Sequence, residues 1–296
     1  MGPAAALLSS ALWAFTSVLL TSQAGKMRPL VMSAIRSFTA SIILIALLIA
    51  TGGLGQLRDM SALTAFSMAG SGIMGQAVGD TLYINALGLL GVNRSFPITN
   101  STYPFVTFLL AVLLLGEDVS WTLPIGGALI VAGITWIVLE QSRADAAAGG
   151  TTELLRGVLF AVAAAVAWAA ATVWLRGQQG DLDAVGAASI RIPAASLAVM
   201  ATVAVTLPGN TRLPIRDLTA RSIFVIVMAG VLGTGLGSVL FIYAVEHTGA
   251  ARTAFLTTSA PLFALPMGVL FLSEKLTPRL LFGTVVTIAG IWLVLL

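Results

Sequence analysis

YPFVTFLLAVLLLGE at Tyr103–Glu117 and APLFALPMGVLFLSE at Ala260–Glu274 are one pattern written twice, 157 residues apart. Each has a proline in second place, a long apolar run and a closing glutamate. Toward the C-terminus the match continues at the same spacing, with Ser120, Gly126 and Gly133 answering to Thr277, Gly283 and Gly290. Toward the N-terminus, the GVNR run ending at Arg94 answers to GAAR ending at Arg252. MAG at Met68–Gly70 recurs at Met228–Gly230 and Tyr83 recurs as Tyr243, both 160 residues on, while Trp13 and Arg36 match Trp168 and Arg191 at 155. An ordered set of this kind marks an internal repeat.

Composition says what the repeat is made of. Of 296 residues 58% are hydrophobic, and there are only 15 basic and 12 acidic side chains, where a soluble domain of this length would carry roughly 75 charged residues. The apolar stretches read as helices at roughly 4 to 22, 30 to 50, 63 to 87, 93 to 115, 121 to 140, 155 to 175, 185 to 207, 222 to 245, 250 to 272 and 278 to 296, each close to the length that spans a bilayer. The expected fold is therefore an all-α integral membrane bundle of ten transmembrane helices. Residues 1–140 form a first five-helix repeat, the charged, Ala- and Gly-rich segment 141–153 a linker, and 154–296 a second five-helix repeat. With an odd number of spans per repeat the halves enter the membrane in opposite orientations, an arrangement used by secondary transporters. The first apolar run has no basic segment ahead of it and reads as a retained span.

Other classes are disfavoured on the same page. The net charge is only +3 and the basic residues are scattered over short loops, so no face reads as a nucleic-acid stripe. Cysteine is absent and His247 is the single histidine, leaving no cluster for a metal and no disulfide framework. No GxxxxGK[ST] loop for a nucleotide occurs. An intramembrane aspartyl protease would need two embedded acids and a serine protease a buried histidine; Asp80 alone lies well inside a span and His247 sits at a helix end. No cofactor is expected, and the chain is read as no enzyme.

Three sets of residues resemble the drug/metabolite transporter superfamily, and within it the EamA family of ten-helix permeases, over nearly the whole chain. They are Ala11, Leu12 and Trp13 with Ala167 and Trp168; the Ile-Arg pairs at Arg36 and Arg191; and the duplicated run ending at Glu117 and Glu274, the most specific of the three. The resemblance implies a secondary carrier, commonly an exporter of amino acids or other small metabolites, that works without ATP.

The candidate site grows from Asp80. A carboxylate inside a span costs at least about 2.5 kcal/mol on insertion scales, so it should face the bundle interior and pair, protonate or bind something. Gln76, Asp80 and Tyr83 fall on one face of their helix. That face reads as cavity-lining, with Asp80 binding a substrate ammonium or exchanging a proton for substrate; a structural acid bonded to helix 4 is the alternative. Leu240 stands at the matching place in the second repeat, so the acid chemistry is confined to one half.

Asn93, Pro97, Asn100 and Pro104 share one helix face, as do Thr253, Thr257 and Pro261, and interior prolines leave carbonyls that need partners in protein or a wet cavity. Asn100 and Thr257 are accordingly candidate cavity contacts. Trp13 with Ser17 and Trp168 with Thr172 repeat an indole and a hydroxyl one turn apart near mid-span, where each indole N–H needs an internal partner. The substrate-lining set is thus Trp13, Ser17, Gln76, Asp80, Tyr83, Asn100, Trp168, Thr172, Tyr243 and Thr257. Arg36 and Arg191 read as anchors that snorkel to the interface, with binding of a substrate carboxylate as the alternative, and Glu117 and Glu274 as turn-forming acids ahead of the N-caps Ser120 and Thr277. Gly126 with Gly133 and Gly283 with Gly290 suit close helix packing, within one chain or between two copies; a monomer is expected, with a homodimer through these faces as the alternative.

The chain is expected in the plasma (inner) membrane as a multi-pass protein whose partners are the bilayer and a small-molecule substrate. Loops after odd-numbered spans carry ten Lys and Arg residues and the others three, which by the positive-inside rule puts both termini outside. The family resemblance implies cytoplasmic termini. Protease access to a terminal tag in intact cells separates the two: cleavage is the result the charge count predicts.

Overall fold

A chain this apolar forms helices because in hydrocarbon each backbone N–H and C=O has to be satisfied within its own segment. The computed structural model describes residues 1–21, 23, 27–90, 92–118, 120–142, 151–206, 219–263 and 278–296, and the regular structure among them is helical. In order these are α1 (Gly2–Thr21), α2 (Pro29–Ala50), the short α3 (Leu54–Asp59), α4 (Ala62–Gly72), a π-helical stretch (Ile73–Gly79), α5 (Asp80–Leu90), α6 (Val92–Leu115), α7 (Thr122–Ser142), α8 (Thr151–Gln178), α9 (Ala184–Thr206), α10 (Ala220–Ala229), a second π-helical stretch (Gly230–Leu236), α11 (Gly237–Thr248), α12 (Ala250–Thr257) and α13 (Pro278–Leu295). Six helical segments among the described residues are long and apolar enough to cross a membrane: Gly2–Leu20, Pro29–Ala50, Ile98–Leu115, Leu154–Gln178, Ala184–Thr206 and Ala220–Thr248. Glu274, Thr277 and most of the linker expected at 141–153 lie outside the described residues.

Helix starts follow local chemistry. Ser61 caps α4 by accepting from Thr64 N at 3.0 Å, and Thr219 caps α10 by accepting from Ser222 N at 3.2 Å. α12 is capped from far away in sequence: the Glu117 carboxylate accepts from Ala250 N at 2.7 Å and Ala251 N at 3.2 Å. The chain enters that cap through Gly249 at φ +88°, a conformation suited to glycine. The turn-forming role read for Glu117 is therefore corrected. Its negative charge sits at the N-terminus of a helix from the other half of the chain, where backbone donors and the helix dipole both favour it. Glu117→Ala should lower unfolding free energy in detergent by about 1 kcal/mol, with Glu117→Gln losing less.

Packing crosses between the two halves. α1 lies against α11 and the second π-helical stretch, and α2 against that stretch and α9; in return α8 packs on α5 and the first π-helical stretch, and α9 on α4. α8 can approach its neighbours closely because Ala161, Ala164, Ala165 and Ala169 present almost no side chain and are wholly buried.

α7 and α13 form the most extensive pair. Their backbones touch through glycine: a Cβ placed on Gly290 would lie 2.6 Å from Gly126 O, and one on Gly133 2.6 Å from Gly283 O. Of the two arrangements open from sequence, the one within a single chain is present. Both glycine faces are filled by each other, so neither is left to hold a second copy.

Candidate functional site

Helices normally bond i to i+4, and the two π-helical stretches, with i to i+5 bonding, open the ladder at corresponding places. Glycine permits this at Gly75 and Gly79 in the first and at Gly230, Gly233 and Gly235 in the second. Each stretch is pressed against an arginine backbone and a tryptophan from the opposite half. A Cβ on Gly230 would meet Arg36 O at 2.6 Å, and Gly72 is packed in the same way on the Arg191 carbonyl. Likewise a Cβ on Gly79 would meet Trp168 Cδ1 at 2.5 Å, and one on Gly237 would meet Trp13 Nε1 at 2.9 Å. These contacts pair positions 158 residues apart in the glycine-bearing helices, not the 160 read from the MAG and Tyr matches. At that spacing Asp80 answers to Ser238, Gln76 to Thr234, and Tyr83 to Phe241 in place of Tyr243. The aromatic pairs agree: Tyr83 lies 5.3 Å from Trp168, and Phe241 5.5 Å from Trp13, between ring centroids.

The two tryptophans make different bonds. Trp13 Nε1 donates to Gly233 O at 3.0 Å, a carbonyl of the opened helix. Trp168 Nε1 donates to Asp80 Oδ1 at 3.0 Å, so a side-chain carboxylate takes the place that backbone fills in the other half. Asp80 is thus bound to α8 and not to polar groups of α6, the helix expected at 93 to 115. Trp168→Phe keeps the ring but removes the bond to the carboxylate, and should lower stability in detergent by about 1.5 to 3 kcal/mol, the scale of one charge-assisted bond; melting curves read this.

Asp80 opens onto a cavity of about 10 Å³ lined by Ser33, Arg36, Ser37, Gln76, Asp80, Val199 and Thr234. That is room for about one water molecule. Gln76 and Asp80 are brought together there as the spacing of their helix suggested, and Tyr83 stands beside them on Trp168.

The other candidates do not line this cavity, though Thr172 and Thr257 meet at the Tyr103 hydroxyl beside Trp168. The Trp13 indole is engaged with the second π-helical stretch, and Ser17 Oγ turns back to Trp13 O at 2.7 Å. Asn100 Nδ2 is bonded to Phe96 O at 3.1 Å, and the buried Thr257 hydroxyl to Thr253 O at 2.9 Å. Thr172 is buried and meets the Tyr103 hydroxyl at 3.3 Å, and Tyr103 also stands edge-on to Trp168, 6.4 Å away. Tyr243 stacks on His247 at 3.9 Å beside a separate open cavity of about 240 Å³ that includes Glu117, Glu246 and Arg176.

The arginines overturn the anchor reading. Arg191 is buried, at 7% exposure, and donates to the Ser71 hydroxyl. Arg36 lines the Asp80 cavity with its Nε buried and without a hydrogen-bond partner. Both point inward because their helices turn these faces to the glycine-rich stretches, which leave space where a side chain would otherwise stand. Ser71→Ala would strand a buried guanidinium donor and should cost about 1 to 3 kcal/mol of stability.

Six helices long and apolar enough to cross a bilayer among the described residues mark an integral membrane protein. The chain belongs to the EamA-like transporter family, whose model matches residues 1–139 and 155–296. An uncharacterized transporter of Archaeoglobus fulgidus is 27% identical over 233 residues, covering 79% of this chain and 77% of that protein. An uncharacterized protein of Pseudomonas aeruginosa is 31% identical over 190 residues, 64% of this chain and 60% of that protein. A protein crystal structure superposes with a TM-score of 0.81 at 17% identity, covering 99% of this chain and 95% of the other, and so shares its fold.

Proposed function

We propose that this chain is an exporter of small polar metabolites, amino acids first among them, working by alternating access in the plasma (inner) membrane. In this reading ten spans form two inverted five-helix repeats, and the halves rock about the Asp80 cavity. The observation that carries it is the convergence of Asp80, Gln76 and Arg36 on one interior cavity. The contacts that recur between opposite halves support the repeat, since each glycine-bearing helix rests on an arginine backbone and a tryptophan of the other half. The cavity volume supports the motion: space for one water cannot hold an amino acid, so the halves have to part before substrate enters.

Asp80 is the residue that meets a substrate ammonium or exchanges a proton for it. Its bond to Trp168 ties the occupancy of the site to the packing of the opposite half. The test is reconstitution in liposomes with a labelled amino acid under an imposed pH gradient. Accumulation driven by the gradient is the result a proton antiporter gives. Equilibration without accumulation would make the protein an uncoupled facilitator in which Asp80 orients the substrate. Failure to carry any amino acid, with carriage of a sugar, nucleoside or hydrophobic drug, would overturn the substrate assignment.

A further inference from the structure

Arg36 and Arg191 occupy matching positions 155 residues apart, yet their side chains end differently. Arg191 donates to Ser71. At the 158-residue spacing that the glycine contacts define, the counterpart of Ser71 is Ala229, so Arg36 has no hydroxyl waiting for it. Its Nε is buried and unpartnered. Asp80 faces the same cavity and attracts Arg36 across it, but no contact within 4.0 Å joins the two among the described residues. A buried guanidinium with an idle donor is costly, and such a group calls for a water, an ion or a ligand to complete it.

The neighbours of Arg36 fit an anion. Ser33 and Ser37 lie on the same helix face and open into the cavity, and Thr234 enters from the second π-helical stretch. The Ser33 and Thr234 hydroxyls add donors around a planar fork that matches a carboxylate, while the Ser37 hydroxyl donates to Ser33 O at 2.6 Å. Asp80 stands across the same space as the only acid in its lining.

We propose that Arg36 is a substrate-binding residue that takes an anionic group of the transported molecule, so that the cavity selects molecules carrying a carboxylate along with a cationic group over the corresponding esters and simple amines. This rests on the reading of the Asp80 cavity as the substrate site. Arg191 is engaged by Ser71 and is not in the lining of this cavity.

The experiment measures ligand-dependent thermal shifts of the purified full chain with the standard amino acids, their methyl esters and their decarboxylated amines, in the wild type, Arg36→Gln and Asp80→Asn. The wild type should respond to at least one free amino acid and not to its ester or amine. Arg36→Gln should bind that amino acid roughly ten- to a hundredfold more weakly, the scale of a lost charge-assisted pair. Arg36→Lys should recover part of the loss. Without ligand, Arg36→Gln should alter the melting temperature little, since its Nε gives up no hydrogen bond within the chain; a structural arginine would lower it by many degrees. Esters or amines bound as tightly as the free acid overturn the proposal, and that comparison needs only the wild-type chain. Unaltered amino-acid binding in Arg36→Gln overturns it as well. Binding that is lost in Arg36→Gln but unaltered in Asp80→Asn upholds Arg36 and overturns the role given to Asp80. The absence of any shift overturns both.

Discussion

Asp80→Asn is expected to reduce transport of the preferred substrate roughly a hundredfold while leaving the protein folded. The amide keeps an oxygen where Asp80 Oδ1 accepts from Trp168 Nε1 at 3.0 Å, so the contact between the two halves persists. What disappears is the charge. A bond between ionised partners inside a low-dielectric site is worth about 1.5 to 3 kcal/mol, which sets the size of the loss. The pH dependence of transport should flatten in the same variant if the carboxylate carries the exchanged proton. Initial rates in liposomes at several pH values, with melting curves on the same preparations, check both parts. Wild-type rates with an unaltered pH profile would remove Asp80 from the mechanism.

Gly290→Leu is expected to be the most disruptive single change to stability. The site allows no Cβ at all: it would stand 2.6 Å from both Gly126 O and Ile130 N. Backbone atoms cannot rotate away as a side chain can, so α13 would have to lift off α7 along its length. Overpacking in a tight core costs about 1 to 3 kcal/mol, and a clash with backbone belongs at or above the top of that range. Gly290→Ala should cost less and Gly126→Leu as much as Gly290→Leu. Yield of folded protein and melting temperature in detergent measure it. An unaltered melting temperature would show that α7 and α13 do not pack through these glycines.

The helical class was legible because it rests on composition: 9% charged residues over 296 positions leave no surface for a soluble domain. Gln76 and Asp80 were legible as a pair because helical periodicity alone puts them on one face. Trp13 and Trp168 were rightly read as needing internal acceptors, but the acceptors themselves, Gly233 O and Asp80, depend on which helices cross. The register of the glycine-bearing helices was misread by two residues. Gly70, Gly72 and Gly75 can be laid over Gly230, Gly233 and Gly235 in more than one way, and only the contacts with Arg36 and Arg191 choose among them.

For Arg36 the sequence left two readings open, an anchor and a carboxylate binder, and favoured the anchor. Its distance from the helix start allows a snorkelling side chain, and rotation of the helix decides between interface and interior. Ser33 and Ser37 on the same face were the available signal, since an anchoring arginine needs no hydroxyl neighbours. Tyr103 was overlooked because it stands within an otherwise apolar run, and its tie to Thr172 links two spans that sequence spacing does not connect. Glu117 could not have been assigned to the start of α12, 133 residues away, without the fold.

The absence of cysteine makes the central claim directly accessible. Ser33→Cys and Thr234→Cys, made one at a time, each place a single thiol in the lining of the Asp80 cavity. The measurement is the rate of labelling by a membrane-impermeant maleimide in right-side-out and inside-out vesicles, with and without a transported amino acid. Alternating access to a substrate cavity predicts labelling from either side and slowing by substrate in both preparations. Labelling from one side only, at a rate that substrate does not alter, would contradict it.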